Sequence, residues 1–384
     1  METKDLFSNE SFEGWKIDIS KPDDISVDNL PQDIKDLQKI KIESIESISH
    51  LEKQISYYRG CQSYKFLYRG HSSSKYQLLS SWTRNYHKLY NDVEEQILNL
   101  VSNIAKNSVW DDYKLQSFNE KLYYLGISRH LGLNCRILDW SYNIWVALSF
   151  LLHEKIDKDG DLWILAYRGK KLEEINPLNI KDNYIHIIKG NYYVPDNKSL
   201  SNLPLGQHRR LKQSGCFTFC ANENDGKPLD TLTETDEDIV FLRFPISKEA
   251  KKIINKCNKL ICVKEWLYIT ENDPTLKAIE EINIIADFAM SWQILDASLI
   301  TKHLDKSFIC NFQMSHESLQ NEKYKIYLEE KFATLIEKNR HPKVEIVDNS
   351  KYKSIVLKIT QNENVCFHEI FIKDKTIVEE IIRI

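Results

Sequence analysis

The stretch "YYRGCQSYKFLYRGHSSSKYQLLSSWTR", Tyr57 to Arg84, holds the triplet Tyr-Arg-Gly twice, at Tyr58–Gly60 and at Tyr68–Gly70. The copies lie in different local patterns. Before the first, Ile45, Ile48, Leu51 and Ile55 recur at spacings of three and four, the period of an amphipathic helix. Gly60 then reads as the helix stop, because glycine takes the left-handed conformation just past a helix end, and Arg59 as a last-turn cation. The second copy closes the apolar run Phe66-Leu67-Tyr68, which predicts a short buried strand. A guanidinium at the end of such a strand suits an anion, and Gly70 would let backbone approach it. His71 and Ser72 to Ser74 add donors beside it. Arg69 is therefore the candidate site residue, and Arg59 is not.

Downstream, Val93, Ile97, Leu100, Val101 and Ile104 predict a helix from Asn91 to Trp110, with Asn91 and Glu94 spaced as a capping box. A second helix is expected over about Leu115 to His130, closed by Gly132. "CRILDWS" (135–141) predicts a strand, and "YNIWVALSFLL" (142–152) is apolar nearly all round, as a buried helix is, with Ser141 as its N-cap. Further strands are expected in "DGDLWILAYRG", "CFTFCAN" and "DIVFLRFPI". The last leads through Ser247 into the helix "KEAKKIINKCNKL". From Ala286 the style changes to a charged helix near Glu317–Lys338, then the strands "KVEIVD", "SIVLKIT" and "VCFHEIFIK", and a final "TIVEEIIRI" that fits a short helix or a strand.

The order has no regular β-α alternation and no Gly-rich phosphate loop, which argues against doubly wound nucleotide folds and P-loop enzymes. The expectation is an α+β protein with a mixed or antiparallel sheet core and packed helices. It divides into an N-terminal leader (1–44), a main domain (45–285) and a small C-terminal α+β domain (286–384).

A net charge of -4 gives no overall pull toward nucleic acid, so a polyanion would need a local basic patch. The eight cysteines include no Cys-x-x-Cys, so neither a zinc site nor a disulfide framework is expected, and no metal. The N-terminus lacks the basic and apolar regions of a signal peptide, and the longest apolar run, Ile144 to Leu152, is too short to cross a bilayer. A cytoplasmic protein without a membrane partner is expected.

Three segments carry candidate chemistry. The first is Arg69-Gly70, for which a buried Arg69–Asp139 ion pair is the plain structural alternative. The second is "ISRHLGLNCRILDWS" (127–141), where Asp139, Trp140 and Ser141 stand at a strand-to-helix turn. Free N–H groups at a helix start favour anions, and Trp140 could stack on a base or fill the core. Arg136 and His130 could line the same cleft. The third is "GQHRRLKQSGCFTF" (206–219), where positive charge gathers just before Gln213, an amide able to orient a ligand hydroxyl.

Together these segments resemble the FRG domain family, named for a Phe-Arg-Gly motif. The matching residues are Tyr68-Arg69-Gly70, then Tyr76 through Arg84 for "y-x-L-x-P-S-x-x-R". Next comes His130-Leu-Gly-Leu-Asn-Cys-Arg136-Ile-Leu-Asp139-Trp140-Ser141, leading into Ala147-Leu148-Ser-Phe150. Last is Arg209 through Phe217 for "R-x-x-x-Q-x-G-x-F". The resemblance covers roughly 45–285. Tyr68, Ser80, Asn134-Cys135 and Ser141 depart from the pattern, and Cys135 lacks the hydroxyl found there.

The family is largely bacterial and phage-borne. Its motif order is similar to the plan of ADP-ribosyltransferases. That similarity implies NAD as substrate, Arg69 on its phosphate and Ser141 on the nicotinamide ribose. Gln213 stands where those enzymes carry a Glu-x-Glu strand, which has no counterpart here. Tyr68, Gly70, His71, His130, Arg136, Asp139 and Trp140 would surround the nucleotide. Two functions follow as expectations. One is an NAD- or nucleotide-handling enzyme acting as a toxin or phage-defence effector. The other is a non-catalytic nucleotide or nucleic-acid binding module, with the C-terminal domain as the arm for a protein partner.

Overall fold

The structure is a computed structural model. It describes residues 33–62, 64–86, 91–106, 126, 129, 132–168, 185–188, 215–220, 227–232, 239–256, 274–313, 315, 317–340, 342–349, 354–361, 364–373 and 376–383. Residues 1–32 of the predicted leader, all but residues 126 and 129 of the helix predicted over Leu115–His130 (His130 included), the basic run 207–212 and Gln213 lie outside the described residues.

Among the described residues, two six-stranded sheets organise the fold. The first contains β1 (Lys65–His71), β2 (Ile137–Ser141), β3 (Gly160–Tyr167), β4 (Ile185–Ile188), β5 (Gly215–Cys220) and β6 (Ile239–Ile246), ordered β4-β5-β2-β1-β3-β6. All its neighbours run antiparallel. Strand β3 is buried at every position, so its residues divide by the two-residue period of a strand. Leu162, Ile164 and Ala166 join one core with Phe66 and Tyr68 of β1, while Trp163, Leu165 and Tyr167 join another with Leu67 and Trp140. The first of these cores is covered by α1 (Ile45–Gln62), α4 (Ile144–His153) and α5 (Lys248–Ile254). Between α1 and α4 come α2 (Ser81–Tyr86) and α3 (Asn91–Lys106).

The second sheet contains β7 (Leu304–Phe312), β8 (Glu317–Gln320), β9 (Lys343–Asn349), β10 (Ser354–Gln361), β11 (Asn364–Lys373) and β12 (Thr376–Arg383), ordered β8-β7-β12-β11-β10-β9. Its one parallel pair is β12 with β7. Helices α6 (Pro274–Ile294), α7 (Ser298–Thr301) and α8 (Asn321–Glu337) accompany it. A single apolar cluster joins Phe288 and Trp292 of α6 and Leu357 of β10 to Trp82 and Tyr86 of α2, Ile97 of α3, and Leu133, Cys135 and Phe217. The second sheet therefore shares its core with helices that precede β2 in the chain.

Several local expectations change. Helix α1 continues to Gln62, so Gly60 lies inside its last turn and is not its stop. Asn91 is the first residue of α3, and Glu94, read as a cap, is a buried partner of Arg136. Asn143, not Ser141, caps α4: its side chain accepts from Trp145 N at 2.9 Å, while Ser141 Oγ accepts from Asn143 N at 2.9 Å. Ser247 caps α5 as expected, accepting from Ala250 N at 3.1 Å. The charged C-terminal segment begins as the strand β8 before α8, and the final segment is the strand β12. Helix α6 is continuous through residues 285 and 286, where the composition changes.

Candidate anion-binding cleft

Strands β1 and β2 pair at Tyr68 and Ser141, the one position of register between them among the described residues. Past that point their ladder stops, and a cavity of about 370 Å³ opens, lined by residues from 68–72 and 139–141. Arg69 bridges the gap with its side chain: Nη1 donates to the Asp139 carbonyl at 2.5 Å and Nε to His71 Nε2 at 3.0 Å. That bond makes His71 Nε2 an acceptor, so the ring is neutral and carries its proton on Nδ1. Burial, and then the charge of Arg69, push the imidazole down to about 2.

Gly70 explains how helix and strand close up here. A methyl group at Gly70 would overlap the Ala147 carbonyl and come within 2.8 Å of Leu151 N. The glycine therefore admits the backbone of α4, and it also lines the cavity. Helix α4 lies along the cleft through Ala147 and Phe150 and ends with His153 and Glu154 at the lining. Asn143 takes up Trp145 N and Ser141 takes up Asn143 N at the helix start, and the cleft also carries positively charged side chains.

Three arginines carry that charge. Arg129 brackets the Asp139 carboxylate, with Nε 3.2 Å from Oδ1 and 3.0 Å from Oδ2, and Nη2 3.0 Å from Oδ2. Arg69 Nη1 stays 3.8 Å from that carboxylate. Arg84, the last residue of the sequence pattern that begins at Tyr76, lines the cleft from α2 and is exposed. The charges respond differently. Burial opposes Arg129, yet Asp139 holds it above its ordinary value. Burial lowers Arg69 to about 10, only partly offset by Asp139; Arg84 is lowered by the partial desolvation of its guanidinium against the cleft wall and by the charge of Arg129. Of the three guanidiniums, Arg129 holds the Asp139 carboxylate most closely. Arg69 and Arg84 are left as surplus positive charge that an anion would relieve.

The other expected site residues divide. Tyr68, Gly70, His71, Asp139 and Ser141 line the cleft with Arg69. Trp140 also borders it, but its indole turns into the core and donates to Thr218 Oγ1 at 2.8 Å. Arg136 is buried against Glu94 on α3. The expected pair of Arg69 with Asp139 is present at 3.8 Å, and Arg129 holds the same carboxylate more closely, at 3.0 Å. Arg129 and Arg84 were not singled out from the sequence, although both fall within the motif segments. Among the described residues no cluster of metal-ligating side chains occurs, and no helix is long and apolar enough to cross a membrane.

An α+β protein with an arginine-rich cleft at the split of an antiparallel sheet is the class that fold and site define. Residues 64–160 match the FRG domain family, so the chain carries an FRG domain. That span takes in β1, β2, α4 and every cleft residue named above. No curated protein matches the chain. Solved structures similar to part of it include a SnoaL-like protein of unknown function from Burkholderia thailandensis, 12% identical over 30% of this chain and 98% of that one, with a TM-score of 0.24. An NTF2-like protein from Cytophaga hutchinsonii is also 12% identical, over 26% of this chain and 85% of that one, with a TM-score of 0.21. A protein with a ketosteroid isomerase-like fold from Catenulispora acidiphila, in complex with trimethylamine, is 7% identical over 26% and 84%, with a TM-score of 0.20.

Proposed function

We propose that this FRG-domain protein binds a phosphate-bearing nucleotide in the arginine cleft, with NAD as the substrate of an ADP-ribosyltransferase-like reaction. In this proposal it acts as a bacterial or phage-related toxin or defence effector. The observation that carries the nucleotide reading is the surplus charge of Arg69 and Arg84 beside the Arg129–Asp139 pair. A cavity of about 370 Å³ falls within the size range of small-molecule sites.

Arg69 and Arg84 hold the diphosphate, and Ser141 bonds a ribose hydroxyl. The bond from ribose C1′ to nicotinamide breaks with its electron pair leaving on nicotinamide. A hydroxyl, amine or water of the acceptor forms the new bond to C1′ and gives its proton to a base. Gln213 completes the set expected from the sequence, and Glu154 is the carboxylate at the rim suited to the base. The second reading, a non-catalytic nucleotide or nucleic-acid module, draws on the Ser141 hydroxyl already serving Asn143 N.

A thermal-shift screen with NAD, ATP and RNA tests the proposal, since a ligand that binds only the folded state raises apparent stability. NAD should stabilise the native chain and not Arg69→Lys, whose ammonium lacks the planar fork. An equal shift in both proteins, or none with any of the three, would overturn it. Release of nicotinamide by the native chain and its loss in Glu154→Gln would separate the enzyme from the module.

A further inference from the structure

Two of the three cleft arginines stand on segments that helix α6 holds in place. Asn283 on α6 accepts from Asn134 N at 2.9 Å and donates through Nδ2 to the Gly132 carbonyl at 3.0 Å. These bonds clip the turn that follows Arg129. Gly132 N donates to the Arg129 carbonyl at 3.0 Å, and Arg129 Nη1 donates to the Leu133 carbonyl at 3.5 Å and to Ser81 Oγ at 3.1 Å. Gly132 has φ +98°, a conformation that L side chains rarely adopt, so no side chain of its own steers this turn. Bonds from outside set its shape.

The same turn reaches α2. Cys135 N donates to Ser81 Oγ at 3.1 Å, and the Cys135 carbonyl accepts from Trp82 N at 3.2 Å. Helix α2 carries Arg84, and at its far end Tyr86 donates its hydroxyl to Asp287 Oδ1 on α6 at 2.7 Å. Arg69, by contrast, stands on β1, paired with β3 along its whole length in the first sheet. The cleft is therefore built from two sides. Arg69 comes with the first sheet, and Arg84 and Arg129 come with segments whose core belongs to α6 and the second sheet.

We infer that Asn283 is a positioning residue of the arginine cleft, and that through it the C-terminal sheet and its helices set how tightly the cleft holds an anion. Asn283 aims Arg129 by fixing the turn at Gly132 and Asn134, and Arg129 in turn holds Asp139 opposite Arg69. Any partner that displaces α6 changes the spacing of the guanidiniums. This rests on the anion reading of the cleft for its binding measurement only.

The test uses the full chain, with inorganic pyrophosphate as the probe. Asn283 is half-buried, so Asn283→Ala should keep its melting temperature within about 3 °C of the native protein without ligand. Calorimetry should show pyrophosphate binding weakened about tenfold in Asn283→Ala, and less in Asn283→Asp, which keeps the acceptor for Asn134 N. Unchanged affinity in Asn283→Ala would overturn the inference. Should the native chain bind no pyrophosphate, the nucleotide reading falls, and amide exchange decides the inference by itself. Faster exchange at 132–135 in Asn283→Ala, with β1 and β3 unchanged, supports it. Unchanged exchange at 132–135, or a rise spread equally over β1 and β3, overturns it. Cys135, whose thiol is buried, gives a second measure of the same opening through its labelling rate with a maleimide.

Discussion

Arg129 holds both carboxylate oxygens of Asp139 at 3.0 to 3.2 Å, while Arg69 meets the same residue at its main-chain carbonyl. Two arginines share one aspartate: Arg129 takes the carboxylate closely, and Arg69 bonds the carbonyl while standing 3.8 Å from the carboxylate. The ion pair that organises the cleft is Arg129–Asp139, and Arg69 is the arginine whose charge stays unmatched at hydrogen-bond distance. This division separates the closer ion pair from the less closely matched guanidinium within the same three residues.

Asp139→Asn follows from it directly. Arg129 would lose its anionic partner next to two other guanidiniums, at a cost of about 2 kcal/mol for a pair that is only partly buried. Phosphate or pyrophosphate should restore part of that loss by taking the place of the carboxylate. Urea denaturation with and without phosphate measures both numbers. A variant as stable as the native chain, or one indifferent to phosphate, would contradict the charge balance described for the cleft.

The two Tyr-Arg-Gly triplets should respond oppositely to the same substitution. Gly70→Ala places a methyl group on the backbone of α4, which has no way to yield without moving off β1. A loss of about 4 kcal/mol or more, or failure to fold, is expected. At Gly60, in the last turn of α1, nothing lies within 4 Å of the added methyl group. There alanine should be neutral or stabilising by up to about 1 kcal/mol. Melting curves of the two variants suffice to compare them.

Two buried histidines tilt the pH dependence of stability in opposite directions. Burial opposes the charge of His368, but hydrogen bonds to Cys366 and Glu380 outweigh it and hold the imidazolium up to about 9, above the ordinary 6.5. Between these values the folded state binds more protons than the unfolded one, so this contribution is complete below about 6.5 and is lost as pH rises toward 9. His71 is held down to about 2, so from 6.5 downward the unfolded chain takes up a proton that the folded chain refuses. Its contribution is complete above 6.5 and falls as the solution is acidified. Denaturation midpoints across pH should flatten on the alkaline side in His368→Gln and on the acid side in His71→Gln.

Much of the first sheet is legible from residues 65–71, 137–141 and 160–167, because short apolar runs ending at polar or glycine residues have few other solutions. The convergence of Arg69, Asp139 and Ser141 is legible too, from the order of the motif segments. The reasons for individual residues are less so. Gly70 could equally face a ligand or a helix, and only the packing of α4 shows which. Ser141 and Asn143 are both good caps two residues apart, and local chemistry does not rank them. Arg129 sits beside His130, and Arg84 at the end of a long pattern. Their meeting at Asp139 is a tertiary fact with no sequence period. Helix α6 escapes the periodic reading for the opposite reason, since its apolar residues are shared between α2, α3 and the second sheet and so cover most of its circumference.

The most direct test of the central claim is a calorimetric titration of NAD into the native chain and into Arg84→Ala. Arg84 is exposed at the cleft, so its removal should leave the fold intact and take away only a charged contact to phosphate. Binding by the native chain, weakened about tenfold or more in Arg84→Ala, is the predicted result. NAD bound equally well by both proteins, or by neither, would contradict it.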